Sequence, residues 1–188
     1  MVDYFLLNRV AETNKQVLLS VGMASMGEIE DALNIFAKYN NNNVLLLHCV
    51  SNYPCSDESL NLRVIQTLQS AFSYPVGLSD HSVGIQASVL SVALGAKMIE
   101  KHFTLDSSMP GPDQRTSLEP AELANLVRGI KRQTFHYNIK KKPSKSTCTP
   151  TNLRATILAM TGSKHVRERL QNLPKRPGCY LMKGQDGT

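Results

Sequence analysis

Two histidines stand at matched places in the chain, His81 in "LSDHSVG" and His102 in "MIEKHFTLD", each at the polar end of a short apolar run. Two imidazoles at the ends of neighbouring strands can converge on one divalent ion. With a carboxylate elsewhere and waters, such a pair suits Mn, Fe, Zn or Mg. Other polar groups sit at equivalent ends: Ser20; His48 with Ser51 and Tyr53; Ser79 and Asp80; and Glu100. The serines and Tyr53 can hold a phosphate through neutral donors. Residue by residue, plainer readings stay open. A histidine near a strand end is commonly a hydrogen-bonded structural residue, and that reading is preferred for His48. Asp80 is either an acceptor behind a ligating imidazole or a cap on the next helix. The loop "MPGPDQRTSLEP", with Asp113 and Arg115, is either a substrate-facing loop or a rigid connector.

Four apolar runs must carry these groups: "QVLLSV" near 16–21, "NVLLLHC" near 43–49, "PVGLS" near 75–79 and "KMIEKHF" near 97–103. Short apolar runs that end in polar residues are the pattern of parallel strands covered on both faces. Between them the period becomes helical. In "SMGEIEDALNIFAKY" Ser25 and Glu28 form a capping box ahead of the stripe Ile29, Ala32, Leu33 and Phe36. The stretch "DESLNLRVIQTLQSAF" predicts a helix with Leu60, Val64, Leu68 and Ala71 on one face. "VGIQASVLSVAL" predicts a small-residue helix closed by Gly95, and a last helix begins at Pro120 and presents Leu123, Leu126, Val127 and Ile130. Strand–helix alternation with short connections implies right-handed βαβ units and a parallel sheet. About four such units make an incomplete (β/α)8 TIM barrel, half of one, with reactive side chains collected at the C-terminal strand ends.

The net charge of +6 is unevenly placed: residues 1–127 hold 7 Lys/Arg against 13 Asp/Glu, and residues 128–188 hold 14 against 2. Three segments follow: residues 1–135 as a half-barrel, 136–159 as a linker-like stretch rich in Lys, Ser, Thr and Pro, and 160–188 as a basic, irregular tail. The tail has no aromatic interleaving or known binding motif, so nucleic acid is not the expected partner. The cysteines at 49, 55, 148 and 179 suit neither a zinc site nor a disulfide framework, which points to a reducing, cytoplasmic setting. No stretch reads as a signal peptide or membrane span.

The motifs "LLSVGMASMGEIEDAL", "LLHCVSNYP", "GLSDHSVG", "GAKMIEKHFTLD", "MPGPD" and "SLEPAEL" closely resemble the N-acetylneuraminate (sialic acid) synthase family in order and spacing, over about residues 3–135. The resemblance implies the C-terminal half of that family's barrel, strands five to eight. It implies condensation of phosphoenolpyruvate with an N-acetylated amino sugar such as N-acetylmannosamine, with phosphate released and a divalent ion, typically manganese though Mg2+ is also admitted. Carried over by position, His81 and His102 resemble the two metal-binding imidazoles. Ser51, Tyr53 and Ser79 resemble phosphate contacts, and Ser20 resembles a further phosphoenolpyruvate-side serine. Asp113 resembles the contact to the sugar hydroxyls and is the candidate catalytic residue. Two departures stand out: Val21 where the family has threonine in "STGM", and "YPCS" in place of "YPAP". The family's carboxylate near the metal and its phosphoenolpyruvate-binding lysines have no counterparts here, so the isolated chain is expected to be nearly or wholly inactive. Residues 160–188, with "LPKRPGCYLMK", resemble the start of the bacterial excinuclease C subunit. Two further expectations stand beside this one: a legionaminate- or pseudaminate-type sugar as substrate, or a non-catalytic homodimer of half-barrels that covers the open sheet edges.

Overall fold

The four apolar runs form strands β1 (Val17–Ser20), β2 (Val44–Cys49), β3 (Val76–Asp80) and β4 (Met98–Phe103) in the computed structural model, which describes residues 3–138, 154–159 and 179–182. All pair in parallel, and each strand lies beside the next one in the chain. Every residue of β2 and β3 is buried, as covering on both faces requires. Alternation divides each strand between two faces. Leu46, Val76, Leu78 and Ile99 join the main core with helix residues Ile29, Leu33, Phe36, Ile65, Leu68, Val92 and Leu126. Leu45, Leu47 and Met98 pack with Leu18 on the opposite, inner face.

The helices are α1 (Tyr4–Glu12), α2 (Met26–Lys38), α3 (Asp57–Leu60), α4 (Val64–Phe72), α5 (Gln86–Ala93) and α6 (Pro120–Asn138). Helix α2 begins as its sequence predicts. The Ser25 side chain accepts from the Glu28 N–H, the Glu28 carboxylate accepts from the Ser25 N–H, and Ile29, Ala32, Leu33 and Phe36 are buried. Gly95 follows α5 with φ at +97°, the left-handed conformation that a glycine tolerates best after a helix end. Gly77 meets a different demand, because a Cβ there would lie 2.7 Å from the Met98 carbonyl oxygen across the β3–β4 pair.

Two expectations fail locally. The stretch 57–72 is two helices, because Asn61 takes a left-handed conformation at φ +39° and ends α3. The face that α4 buries is then Ile65 and Leu68, with Val64 partly buried and Ala71 exposed. The second difference lies in the basic region, which the sequence presents as a linker-like stretch and an irregular tail. β5 (Arg154–Ala159) pairs in parallel with β4, and β6 (Cys179–Met182) pairs with β5, giving a six-stranded sheet. "RATILA" and "CYLM" are short apolar runs whose polar surroundings hide them from a periodicity reading. The free edge of β4 supplies unpaired backbone groups for such a run to bond. Helix α6 runs on to Asn138, into the stretch expected to be a linker; beyond these elements the linker-like stretch and the tail, with most of its excinuclease-like motif, lie outside the described residues. No helix among the described residues is long and apolar enough to cross a membrane.

Candidate active site

The inner face of the sheet turns polar at its C-terminal end. β3 and β4 are in register with Ser79 beside Glu100 and Asp80 beside Lys101. By alternation Ser79, Glu100 and His102 share the inner face, and His81 follows directly after β3. The Ser79 hydroxyl donates to Glu100 Oε1 at 2.6 Å. His81 and His102 lie with ring centroids 5.5 Å apart, and both are buried.

Two loops close around them. After β2, the Cys55 N–H donates to the His81 carbonyl at 2.9 Å, which brings the 50–55 loop against the end of β3. The Tyr53 ring thereby packs 4.2 Å from His81 and 5.7 Å from His102, centroid to centroid. After β4, Leu118 pairs back along the strand: its N–H donates to the His102 carbonyl and its carbonyl accepts from the Thr104 N–H. That return places the 104–118 loop over the strand end. Asp113 there precedes a 3-10 turn, Gln114–Thr116, and its carbonyl accepts from the Thr116 and Ser117 hydroxyls. Its carboxylate lies near enough to Tyr53 and His102 for its charge to act on both.

The hydrogen bonds fix the state of one imidazole. His81 Nδ1 lies 2.7 Å from the Val50 carbonyl oxygen, which can only accept, so Nδ1 carries a proton and, in the neutral ring, Nε2 holds the lone pair. Nε2 lies 3.4 Å from the Ser79 hydroxyl, whose proton is already given to Glu100. A ring that donates one N–H to a backbone carbonyl and leaves the other nitrogen open has the arrangement of a metal-ligating histidine. The second ring is left unsatisfied. His102 Nδ1 is buried without a hydrogen-bond partner among the described residues. Burial pushes the His102 pKa down, against the opposing pull of Asp113, and so favours the neutral imidazole that ligation requires. Two nitrogen donors therefore fit a divalent ion. No group of three or more His, Cys, Asp or Glu side chains among the described residues is arranged to hold one, so the remaining positions suit water or substrate oxygen.

The sequence-derived residues thus divide. His81, His102, Tyr53 and Ser79 form one cluster, with Asp113 at its rim. Ser51 is exposed just beyond Val50 and makes no side-chain hydrogen bond among the described residues. Ser20 ends β1 and lines a different cleft, of about 300 Å³, with Leu6, Leu19 and Met23 between α1, β1 and α2. His48 points to the helix side, where Nε2 lies 2.9 Å from the Leu60 carbonyl oxygen, in keeping with its structural reading. Asp80 fits neither of its two readings. It touches no imidazole and makes a buried ion pair with Lys101 at 3.0 Å. Glu100 is the cluster member that no site assignment included, although its place two residues before His102 puts both on one strand face.

The NeuB family model matches residues 1–142. N,N'-diacetyllegionaminic acid synthase of Campylobacter jejuni is 48% identical over 157 residues, 81% of this chain and 47% of that protein. Human N-acetylneuraminate-9-phosphate synthase is 44% identical over 126 residues, 66% of this chain and 35% of its own length. The chain therefore spans less than half the length of these relatives. Among solved structures, the N-acetylneuraminic acid synthetase of Leptospira borgpetersenii in complex with citrate superimposes with a TM-score of 0.69 at 38% identity, covering 92% of this chain and 55% of that one. By the family match over residues 1–142 and by relatives of this identity, the chain belongs to the NeuB family.

Proposed function

We propose that this chain carries the ion-holding and phosphate-facing side of a synthase that joins phosphoenolpyruvate to an N-acetylated amino sugar, giving a nonulosonic acid and inorganic phosphate. One observation carries the reading: two buried imidazoles converge on the inner face, and His81 is locked by Val50 into the tautomer with a free Nε2. His81 and His102 would hold a divalent ion, Mn2+ by family, with Mg2+ as the alternative. Bound there, the ion would supply Lewis-acid polarisation of the sugar's open-chain aldehyde oxygen.

The chain's own groups would orient the reactants. The Tyr53 hydroxyl, with Ser51 further out, would offer neutral donors to phosphate oxygens; Ser79 would join them only by turning its hydroxyl away from Glu100, and Ser20, in its separate cleft, stands outside this set. Asp113, on the loop that folds back over β4, would accept from sugar hydroxyls and fix which aldehyde face meets the phosphoenolpyruvate methylene carbon. A C–C bond then forms between that methylene and the aldehyde carbon. Water adds at the enol carbon, and the bond from that carbon to the phosphate oxygen breaks to release phosphate. Among the family's sugars, a diacetyl substrate of the legionaminate type is supported by the 48% identity over 81% of the chain.

Manganese binding tests the site directly. Titration followed by electron paramagnetic resonance is expected to show one bound Mn2+ per chain, lost in both His81→Ala and His102→Ala. Unchanged binding in the two variants would remove the reading. No phosphate is expected from phosphoenolpyruvate, N-acetylmannosamine and Mn2+ with the chain alone. Release that His81→Ala abolishes would show that the chain suffices for catalysis.

A further inference from the structure

Directly behind the inner-face cluster, on the helix side of the sheet, lies a second polar group that the proposed chemistry does not use. Asp80 is fully buried and Lys101 is 2% exposed. They are register partners on β3 and β4, with Nζ and Oδ2 3.0 Å apart. Asp80 Oδ1 also accepts from the Ser82 N–H at 2.9 Å and the Ser82 hydroxyl at 2.7 Å, and Oδ2 accepts from the Ser88 hydroxyl on α5. Lys101 Nζ donates in addition to the Ser82 carbonyl. Every partner is a neighbour of the imidazoles or of the helix behind them. Asp80 precedes His81 and Ser82 follows it, and Lys101 precedes His102.

Stability alone does not account for this pair. Removing two charges from water costs several kcal/mol per ion, and well-packed apolar side chains of the same volume commonly hold a core as well or better. One step earlier on the same face of the two strands the residues are apolar, Leu78 and Ile99. Apolar contacts tolerate small slips and rotations of a strand end. An ion pair with directed hydrogen bonds on both carboxylate oxygens does not, because each bond fixes a distance and an angle. The pair ties β4 to the turn after β3 at the two residues whose neighbours are the imidazoles.

We propose that Asp80 and Lys101 are positioning residues: their buried pair sets the relative placement of the β3 and β4 ends, so that His81 and His102 converge on one ion. This rests on the reading that the two rings hold a divalent cation, and the test separates the two claims. The probe is Co2+, added to the full chain and followed by visible absorption. In the double variant Asp80→Asn/Lys101→Met both charges go together, so no lone buried ion remains, and the amide oxygen introduced at position 80 can still accept from Ser82. Its urea unfolding midpoint is expected to stay near that of the wild type while Co2+ affinity falls about 10–100-fold, the range for losing a residue that orients metal ligands. A folded double variant that binds Co2+ as tightly as the wild type overturns the proposal. If the wild type binds no Co2+, the ion reading fails, and the positioning claim is decided by the His81 Nδ1–H in nitrogen-edited NMR. That proton is expected to be protected by Val50 in the wild type and to exchange faster in the double variant; equal protection overturns the claim. If the double variant does not fold, Ser88→Ala takes one bond from Asp80 and leaves both charges. Several-fold weaker Co2+ binding or faster His81 N–H exchange supports the proposal, and neither change overturns it.

Discussion

The two faces of one short sheet treat their polar side chains in opposite ways. On the helix side, Asp80 has three hydrogen bonds and an ion pair, and His48 is tied to the Leu60 carbonyl oxygen. On the inner side, one register step away, His81 Nε2 has only a long contact of 3.4 Å with the Ser79 hydroxyl, and His102 Nδ1 has no partner among the described residues. Buried polar groups are normally satisfied from within the protein, as the helix side shows. A buried imidazole left unpaired on the other face of the same strands marks where the molecule leaves bonding capacity for something else. Stranding one partner on the helix side should accordingly cost stability first, and removing an imidazole on the inner side should cost binding first.

The largest expected effect tests the helix side. Asp80→Ala strands Lys101 in the core and is expected to lower the unfolding free energy by about 3–5 kcal/mol, measured by urea denaturation. A loss below about 1 kcal/mol would show that the pair is not held as described. Gly77→Ala probes the seam between the faces, where a Cβ would press on the Met98 carbonyl and Leu47. It should cost about 1–3 kcal/mol through forced separation of β3 from β4. The sharpest contrast sets two histidines against each other. His48→Ala leaves the Leu60 carbonyl unpaired and should cost about 1–3 kcal/mol without changing Mn2+ binding. His102→Ala should abolish that binding while lowering the urea midpoint less than His48→Ala does. If the two rank the other way in stability, the contrast between faces fails.

The smallest expected effect lies away from both faces. The Ser25 N–H, with help from the Ser25 hydroxyl, holds the Glu28 carboxyl below its ordinary value of 4.5. A lowered folded value means that the contribution is present above 4.5 and disappears as pH falls through the folded value. The stability difference between the wild type and Glu28→Gln should therefore shrink as pH drops below 4.5. A difference constant across that range would remove the carboxylate from the cap.

Much of this organisation was legible in the residues because it is local. The capping box at Ser25 and Glu28, the apolar runs of β1 to β4 and the Gly95 helix end each depend on a few adjacent positions. So does the polarity of the strand ends, which gathered Ser20, His48, Ser51, Tyr53, Ser79, Asp80, His81, Glu100 and His102; the family resemblance then gave His81, His102, Ser79 and Tyr53 their roles. What escaped the sequence depends on register and on long-range meeting. Asp80 and Lys101 are 21 positions apart, and only the pairing of β3 with β4 makes them partners. Glu100 stands among the polar strand-end groups, but its partner is visible only once the register sets Ser79 opposite it. Asn61 breaks a helical pattern that apolar spacing alone would continue. β5 and β6 are recruited by an edge that no local signal reveals.

Because spatial order follows chain order from β1 to β6 with no strand skipped, each of these strands after β1 needs only its predecessor in order to pair. The sheet can therefore be laid down in chain order as the polypeptide leaves the ribosome, unit upon unit. The imidazoles would meet only when β4 docks, so binding competence would follow, rather than accompany, formation of the helix-side core of β1 to β3.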